Sequence, residues 1–313
     1  MHKNITFSAV VFNAIIGVYV LLEKFDEDRR IFIGMRVNDS CAKCMYDRQC
    51  AKTDNKEYLS EIKKLLDNRP EDITSAELNM EFNRLHEKYI GELPDFKDEK
   101  KQFNDLVLSM ESDLRKEIEA SEDPLATSII MARIGNYIDF PVLDNVDPDE
   151  FLQLFDNTQI RNDEIDVYHS FCKQCAEAKS FLLLTDNCGE IVLDKLMLEQ
   201  LKKRFPNMEL TVMVRGEDVS NDATMEDATY VGIDKVAKVI TNGRKMAGTV
   251  YELVSDEARE AIDNADVILS KGQANFESFS GDGRHAFYTF LCKCQLFINR
   301  FQVPKFTGML VEE

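Results

Sequence analysis

Three polar segments of the sequence carry residue types that bind divalent cations and phosphate groups. The first reads TDNCGE and spans 185–190, directly after an apolar stretch at 181–184. Asp186 and Asn187 offer the hard oxygen ligands that divalent cations prefer. Gly189 allows a close backbone approach, and a helix that begins after it would attract an anion. Helix capping by Asp and Asn is the alternative interpretation of this segment.

The second segment reads RGEDVSNDAT and spans 215–224, after another apolar stretch. Asp222 could complete a set of metal ligands with Asp186 and Asn187. Arg215 could pair with an anionic substrate, since a guanidinium group suits phosphate geometry. Capping by Asp222 or Thr224, with Arg215 in a surface salt bridge, is the alternative.

The third segment reads SKGQANFE and spans 270–277. Lys271 comes at the end of an apolar stretch and is followed by Gly272, which suits a phosphate ligand; a solvated lysine in a turn is the alternative. In an open parallel sheet, ligands bind beyond the carboxyl ends of the strands. The three segments therefore predict a metal and phosphate site at one edge of a sheet.

The elements that must position these segments follow from the hydrophobic pattern. The first half shows helical periodicity, and the second half alternates short apolar stretches with helical ones, which is typical of a parallel α/β sheet. The predicted helices are 55–67, one opening at Thr74 with a capping box, 96–120, 125–138, 149–155, 165–178, 190–204, 224–231 and 255–264. The predicted strands are 181–184, 210–214, 236–241, 267–269 and 288–292.

This pattern predicts a fold of the α/β class with two domains. An all-α helical domain at 35–175 precedes a Rossmann-like α/β/α domain at 176–313, which has a mainly parallel sheet and carries the metal and phosphate site. An apolar N-terminal extension at 1–34 stands before both.

The net charge and the motifs that the sequence lacks argue against several functions. The chain has 313 residues and a net charge of −19, which does not favour binding to nucleic acid. Neither a G-x-G-x-x-G fingerprint nor a Walker loop follows the first strand, so no nucleotide cofactor is predicted. A methyltransferase is less favoured because the first turn is acidic. A haloacid-dehalogenase phosphatase would need D-x-D-x-T, and Cys188 stands where its second Asp belongs.

The eight cysteines include two CxxC pairs, Cys41 with Cys44 and Cys172 with Cys175. Two such pairs could form a four-thiolate zinc site, although the long gap between them weakens that interpretation. A redox pair and reduced thiols packed within helices are the alternatives. This cysteine usage favours a cytoplasmic protein.

Residues 5–22 contain no charged residue, and their length is near the minimum for a membrane span. They could form an anchor or a buried helix, or they could be translated upstream sequence with the functional start at Met35. No membrane partner is expected unless this stretch is an anchor.

Three motifs together are similar to those of a known family. DNxGE at 186–190, NDAT at 221–224 and SKGQxNFE at 270–277 resemble the damage-control phosphatases, first catalogued as domain of unknown function 89. The resemblance runs from about Met35 to the end of the chain. It implies a helical domain joined to a Rossmann-like domain, and a divalent-metal-dependent phosphatase that acts on phosphate monoesters of small metabolites such as sugar phosphates.

The resemblance also implies roles for individual residues. The metal, which could be Mn, Ni, Co or Mg, falls on Asp186, Asn187 and Asp222, and the substrate-side lysine falls on Lys271. Cys188 departs from the small residues that are commoner at its position. The three segments and the resemblance together predict a substrate-binding set, which is Gly189, Glu190, Arg215, Lys271 and Gly272.

Glu190 could orient the attacking water, or it could be only a first-turn helix charge. The pair Cys41 and Cys44, with Lys293-Cys294, resembles the CxxC-bearing prokaryotic branch of the family. Cys294 therefore joins the two CxxC pairs as a candidate for a second metal or a redox function.

A metal- or metabolite-binding regulatory protein without turnover is the alternative function, followed by a methyltransferase.

Overall fold

The computed structural model describes residues 35–137, 155, 159–281 and 283–313. The apolar stretch at 5–22 and residues 149–154 of a predicted helix lie outside these ranges. Across the described ranges, no helix is both long and apolar enough to cross a membrane. The helices are α1 Asp39–Lys52, α2 Lys56–Asp67, α3 Ser75–Tyr89, α4 Lys97–Ala120, α5 Pro124–Gly135, α6 Ile165–Glu177, α7 Glu190–Arg204, α8 Met225–Val231, α9 Asp256–Asp263, α10 Gln273–Phe279 and α11 Gln295–Phe301.

Six strands form one sheet in the order β3-β2-β1-β4-β5-β6. Strands β1 to β5 pair with one another in parallel, and β6 pairs antiparallel with β5. The strands are β1 Ser180–Leu184, β2 Glu209–Val214, β3 Lys238–Thr241, β4 Val267–Lys271, β5 Phe287–Leu291 and β6 Gly308–Glu312. The prediction of an α/β fold with a mainly parallel sheet is therefore confirmed. The strand order reverses between β1 and β4, where such sheets bind ligands.

Helices cover both faces of the sheet because the side chains of each strand alternate between two apolar cores. Phe181 and Leu183 of β1 point into one core, and Leu182 and Leu184 point into the other. All four side chains are almost fully buried. A strand buried on both faces reads as a continuous apolar run, which is the pattern that predicted β1.

The helices that precede the sheet in sequence divide into two groups. Buried residues of α4, α5 and α6 belong to the same apolar core as α7, on one face of the sheet. Helices α1, α2 and α3 form most of a smaller apolar cluster of their own, at 37–85. Thr74 and Glu77 form the predicted capping box at the start of α3. The predicted division of the chain at 175 stays a prediction, and apolar contacts of the larger core extend across it.

Candidate active site

The loops that follow β1 and β2 are joined at the carboxyl edge of the sheet. The backbone N–H of Ala223 donates to the carbonyl oxygen of Asp186 at 2.8 Å, and that of Cys188 donates to Asn221 at 2.8 Å. Asn187 and Asp222 face each other across an isolated antiparallel bridge. These contacts bring together the three residues predicted as metal ligands.

The carboxylate of Asp186 is held by neighbours from three parts of the chain. The side-chain amides of Asn136 and Asn187 donate to its Oδ2, at 2.8 and 3.0 Å. The Nη2 of Arg215 lies 3.5 Å from its Oδ1. Only 6% of Asp186 is exposed. The side chain is therefore fixed in orientation before any ligand binds.

Negative charge is concentrated around Asp186. Burial raises the pKa of its carboxyl well above the usual range, and the carboxylates of Asp222 and Glu190 raise it further. The charges of Arg215 and Lys293 oppose this shift in the pKa only in part. A cation bound between the carboxylates would relieve the repulsion that raises the pKa.

The donor set fits a hard divalent cation. Asp186, Asn187 and Asp222 offer two carboxylates and one amide, and oxygen ligands of this kind suit Mg²⁺ and Mn²⁺. Within the part of the chain that the structure describes, no group of three or more His, Cys, Asp or Glu side chains is arranged to hold a metal ion. The predicted set has only two residues of those types, so this result leaves the assignment of the set a prediction.

The loop after β4 meets the loop after β1 at Gly272. This glycine has a φ of +81°, and a Cβ placed on it would lie 1.8 Å from Oδ2 of Asp186. Its N–H donates to the carbonyl oxygen of Thr289 on β5, at 3.0 Å. Only glycine tolerates both the positive φ and this close approach. Gly272 therefore contributes space for the Asp186 carboxylate.

Arg215 is buried within the site, with 1% of its surface exposed. Its Nε donates to Oδ2 of Asp222 at 2.6 Å, and its Nη1 donates to the carbonyl oxygen of Gly248 and to Oδ1 of Asn275, at 3.1 and 3.2 Å. The alternative of a surface salt bridge is therefore wrong. The guanidinium fixes the position of Asp222.

Lys271 is also fully buried, and its ammonium group has three protein acceptors. Its Nζ donates to the carbonyl oxygen of Ala132 at 3.0 Å, to Oε1 of Glu190 at 2.5 Å and to Oδ1 of Asp194 at 2.7 Å. Burial alone would lower its pKa, but the two carboxylates outweigh burial, and the net pKa is raised. Lys271 is therefore charged, and the alternative of a solvated lysine is wrong. Its three hydrogens are directed to protein acceptors, whereas the prediction assigned them to phosphate.

Glu190 connects Lys271 to the predicted metal ligands. Its Oε2 accepts from the side-chain amides of Asn136 and Asn187, at 3.1 and 3.0 Å. The preceding Gly189, at a φ of +74°, donates its backbone N–H to Oδ1 of Asn104 at 2.6 Å. Glu190 and Gly189 thus lie at the site as predicted, but each already forms hydrogen bonds within the protein.

Three further residues reach this edge that were not assigned to it from the sequence. Asn104 comes from α4, Asn136 follows the end of α5, and Lys293 follows β5. Besides its two carboxylate contacts, Asn136 accepts from the backbone N–H of Leu291 at 3.3 Å. No spacing rule links these positions to residues 185–190, because helices far away in sequence supply two of them.

The predicted cysteine pairs lie in different parts of the fold. Cys41 packs against the small cluster of α1–α3, whereas Cys175 belongs to the core on which α4 to α7 pack. Burial, with Glu277 and Cys294 nearby, raises the pKa of the Cys41 thiol to about 11. All eight cysteines are free thiols. A metal or redox function for the cysteines stays a prediction.

The comparisons with known proteins show the family of the chain. A family model, the damage-control phosphatase ARMT1-like domain, matches residues 26–307. The chain belongs to this family. The match begins at residue 26, whereas we expected the resemblance to start at about Met35. Membership in the damage-control phosphatase family supports a phosphatase role on damaged metabolites.

Individual relatives lead to the same family. A damage-control phosphatase from Archaeoglobus fulgidus is 28% identical over 272 residues, which cover 83% of this chain and 93% of the relative. Another from Pyrococcus horikoshii is 34% identical over 186 residues, covering 59% and 63%. The crystal structure of a protein of the domain-of-unknown-function-89 family from P. horikoshii superposes with a TM-score of 0.71 at 25% identity, covering 88% of this chain and 98% of that one.

Proposed function

We propose that this chain is a divalent-metal-dependent phosphatase that hydrolyses phosphate monoesters of small phosphorylated metabolites such as sugar phosphates. One observation carries the proposal. Two carboxylates and an amide, from Asp186, Asn187 and Asp222, converge at the switch point of the sheet in a chain of a phosphatase family.

In this proposal, Asp186, Asn187 and Asp222 hold the metal, which would be Mn, Ni, Co or Mg. When bound, the cation supplies positive charge that stabilises the negative charge developing on the phosphoryl oxygens. Cys188, between two of the ligands, is buried, and burial raises the pKa of its thiol well above the usual value. The proposal gives Cys188 a packing role, since its side chain is fully buried.

The chain's own residues pre-organise this site. Arg215 fixes Asp222 through a 2.6 Å hydrogen bond. Glu190 accepts from Asn187 and from Lys271, so it orients an amide ligand while its own charge is balanced. Fixed donors and charges of this kind need no reorganisation during the reaction, which is the main way that enzymes stabilise developing charge.

The reaction itself is the addition of water to phosphorus. The new P–O bond forms in line with the ester bond that breaks, the leaving alcohol oxygen takes up a proton, and inorganic phosphate is the other product. Both oxygens of Glu190 already accept hydrogen bonds within the protein. These contacts favour a positioning role for Glu190 over direct orientation of the attacking water.

The test is a phosphate-release assay on the full chain with a panel of sugar phosphates and phosphorylated cofactors. Metal is first removed with EDTA, and Mn, Co, Ni or Mg is then restored singly. Hydrolysis should require added metal and should be abolished by Asp186→Ala. This variant should stay folded, because removing the carboxylate relieves its repulsion with Asp222 and Glu190. Asp113→Ala, whose side chain is 86% exposed, is the matched control and should keep full activity.

Full activity and an unchanged metal response in Asp186→Ala would overturn the assignment of the site. Absence of phosphate release with every metal, together with measurable metal binding, would leave the regulatory binding protein as the better description. A cytoplasmic location stays a prediction from the sequence.

A further inference from the structure

The side chain of Asn275 lies among the loops at the carboxyl edge of the sheet. It belongs to α10 and is fully buried. Its Nδ2 donates to the carbonyl oxygens of Thr185 and Lys271, at 2.8 and 2.7 Å. Its Oδ1 accepts from Nη1 of Arg215 at 3.2 Å and from the hydroxyl of Thr249 at 2.9 Å. A side-chain amide has two donor hydrogens and two acceptor lone pairs, so these contacts use its full capacity.

The four partners of Asn275 come from four different loops. Thr185 follows β1, and Arg215 follows β2. Thr249 lies between β3 and α9, and Lys271 is the last residue of β4. The donor end of the amide holds two backbone carbonyls, whereas the acceptor end holds two side chains. The acceptor end can therefore orient a charged group that the donor end does not touch.

That charged group, the guanidinium of Arg215, lies between the two carboxylates predicted to bind the metal. Its Nε donates to Oδ2 of Asp222 at 2.6 Å, and its Nη2 lies 3.5 Å from Oδ1 of Asp186. Among the residues that the structure describes, this buried Nη2 has no hydrogen-bond partner. Because a guanidinium group is planar and rigid, the partners of Nε and Nη1 also set the position of Nη2. The acceptors of Nη1 are Gly248 and Asn275.

The orientation of Arg215 matters because a guanidinium group attracts the same oxygens that a divalent cation would bind. A separation of 3.5 Å is longer than a normal N–H···O hydrogen bond. Without the contact to Asn275, the guanidinium could turn its Nη2 onto Asp186 and form a charge-assisted hydrogen bond there, which is among the strong ones. A cation would then have to displace this bond.

We propose that Asn275 is a positioning residue that holds Arg215 away from Asp186 and so keeps this carboxylate available to a divalent cation. The proposal rests on the proposed function and names a residue that sets the affinity of that site for its metal. A purely structural role for Asn275 would change the stability of the fold but not the affinity for metal.

The experiment measures metal binding without substrate. The full chain is stripped of metal with EDTA, calorimetry gives the Kd of Mn, Co, Ni and Mg ions titrated singly, and thermal unfolding reports folding. Asn275→Ala should raise the Kd of the ions that bind about 10- to 100-fold, which corresponds to displacing one charge-assisted hydrogen bond. If this variant does not fold, Asn275→Ser, which leaves a smaller cavity, takes its place.

Thr249→Val is the matched control. Thr249 is fully buried and donates to the same Oδ1 of Asn275 as Arg215 does. The control removes one hydrogen bond of that oxygen, while both Nδ2 contacts still hold the amide in place. It should lower the unfolding temperature by about 2–4 °C and leave the metal Kd unchanged.

A double-mutant cycle tests the route through Arg215. Arg215→Met removes the group that Asn275 is proposed to hold, so adding Asn275→Ala to it should not raise the metal Kd further. A further rise of about tenfold would show that Asn275 acts by another route and would overturn the proposal. If the double variant does not fold, the comparison of Asn275→Ala with Thr249→Val decides.

Equal metal Kd values for Asn275→Ala and the wild type would leave Asn275 with a structural role only, and the proposal would fail. The same rise in Kd for Thr249→Val as for Asn275→Ala would also contradict it. If metal binding depends on Asn275 as expected but the wild type releases no phosphate from any ester, the positioning role stands and the phosphatase function fails. If the wild type binds none of the four ions, both proposals fail.

Discussion

Replacing Gly272 by alanine tests whether the two loops must meet as the structure shows. The added Cβ would lie 1.8 Å from Oδ2 and 2.2 Å from Cγ of Asp186, far inside any real contact. The backbone cannot yield easily, because the Gly272 N–H is hydrogen-bonded to Thr289. The carboxylate of Asp186 must therefore move.

The size of the effect follows from these distances. To restore a separation of 3.0 Å, Oδ2 must shift by roughly 1.2 Å, and a misplacement of about 1 Å in a reacting group can cost about 100-fold in rate. The positive φ of +81° adds strain of about 1–3 kcal/mol, and overpacking adds about 1–3 kcal/mol. A gain of about 0.4–1 kcal/mol from the unfolded chain offsets a small part of this loss.

Gly283→Ala is the matched control, since this glycine has a φ of +90° but nothing within 4 Å of the added Cβ. Urea unfolding should show Gly272→Ala to be less stable than Gly283→Ala by about 1–3 kcal/mol. Phosphate release should fall about 100-fold in the first variant and stay unchanged in the second. Equal activity in the two variants would refute the close approach of the loops.

Two further substitutions probe one buried group, Asn136, and one partly buried group, Glu277. Asn136→Ala removes one of the two amide donors to Oδ2 of Asp186 and to Oε2 of Glu190, and it takes away the side-chain acceptor of the Leu291 N–H. Urea unfolding should therefore show a loss of about 2–4 kcal/mol, against less than about 1 kcal/mol for the exposed Asn68→Ala. Glu277→Gln removes a carboxyl whose pKa is raised by burial from 4.5 to about 7. The folded state therefore binds this proton more tightly than the unfolded state does. As a result, the wild type loses stability as the pH rises between these two values, by at most about 3 kcal/mol. The variant can keep the hydrogen bond from Ser75 and should therefore be more stable than the wild type at pH 8 but not at pH 4.5; the same difference at both values would contradict this reasoning.

The sequence predicted the central strands and the long helices well, because both carry strong apolar patterns. Strand β1 begins one residue before the predicted 181, and α7 spans the predicted 190–204. Helices α1, α10 and α11 and strand β6 were not predicted. Helix α1 is mostly polar, with one of its residues buried, so it has almost no apolar periodicity to read. Helix α10 begins directly after Gly272, within residues that were interpreted as a ligand loop.

The candidate site was predicted in part. The local motifs identified Asp186, Asn187 and Asp222, since parallel strands bring the loops after them to one edge. The contacts of Lys271 could not be predicted, because they depend on Ala132 and Asp194, which reach it only through the packing of α5 and α7 against the sheet. The motifs identify which loops carry the polar side chains. The donors and acceptors that contact those side chains come from helices distant in sequence, so the motifs do not predict them.

The packing of α5 has a consequence for the order in which the chain can acquire structure during synthesis. Ten of its twelve residues are buried, and it packs against α7 and β5, which are made much later. An emerging chain therefore carries an apolar helix without its partners until the central strands have been completed. The carboxylates of Asp186 and Glu190 contact the amide of Asn136 only when that helix packs against the sheet. We therefore expect the ability to bind a cation to appear last.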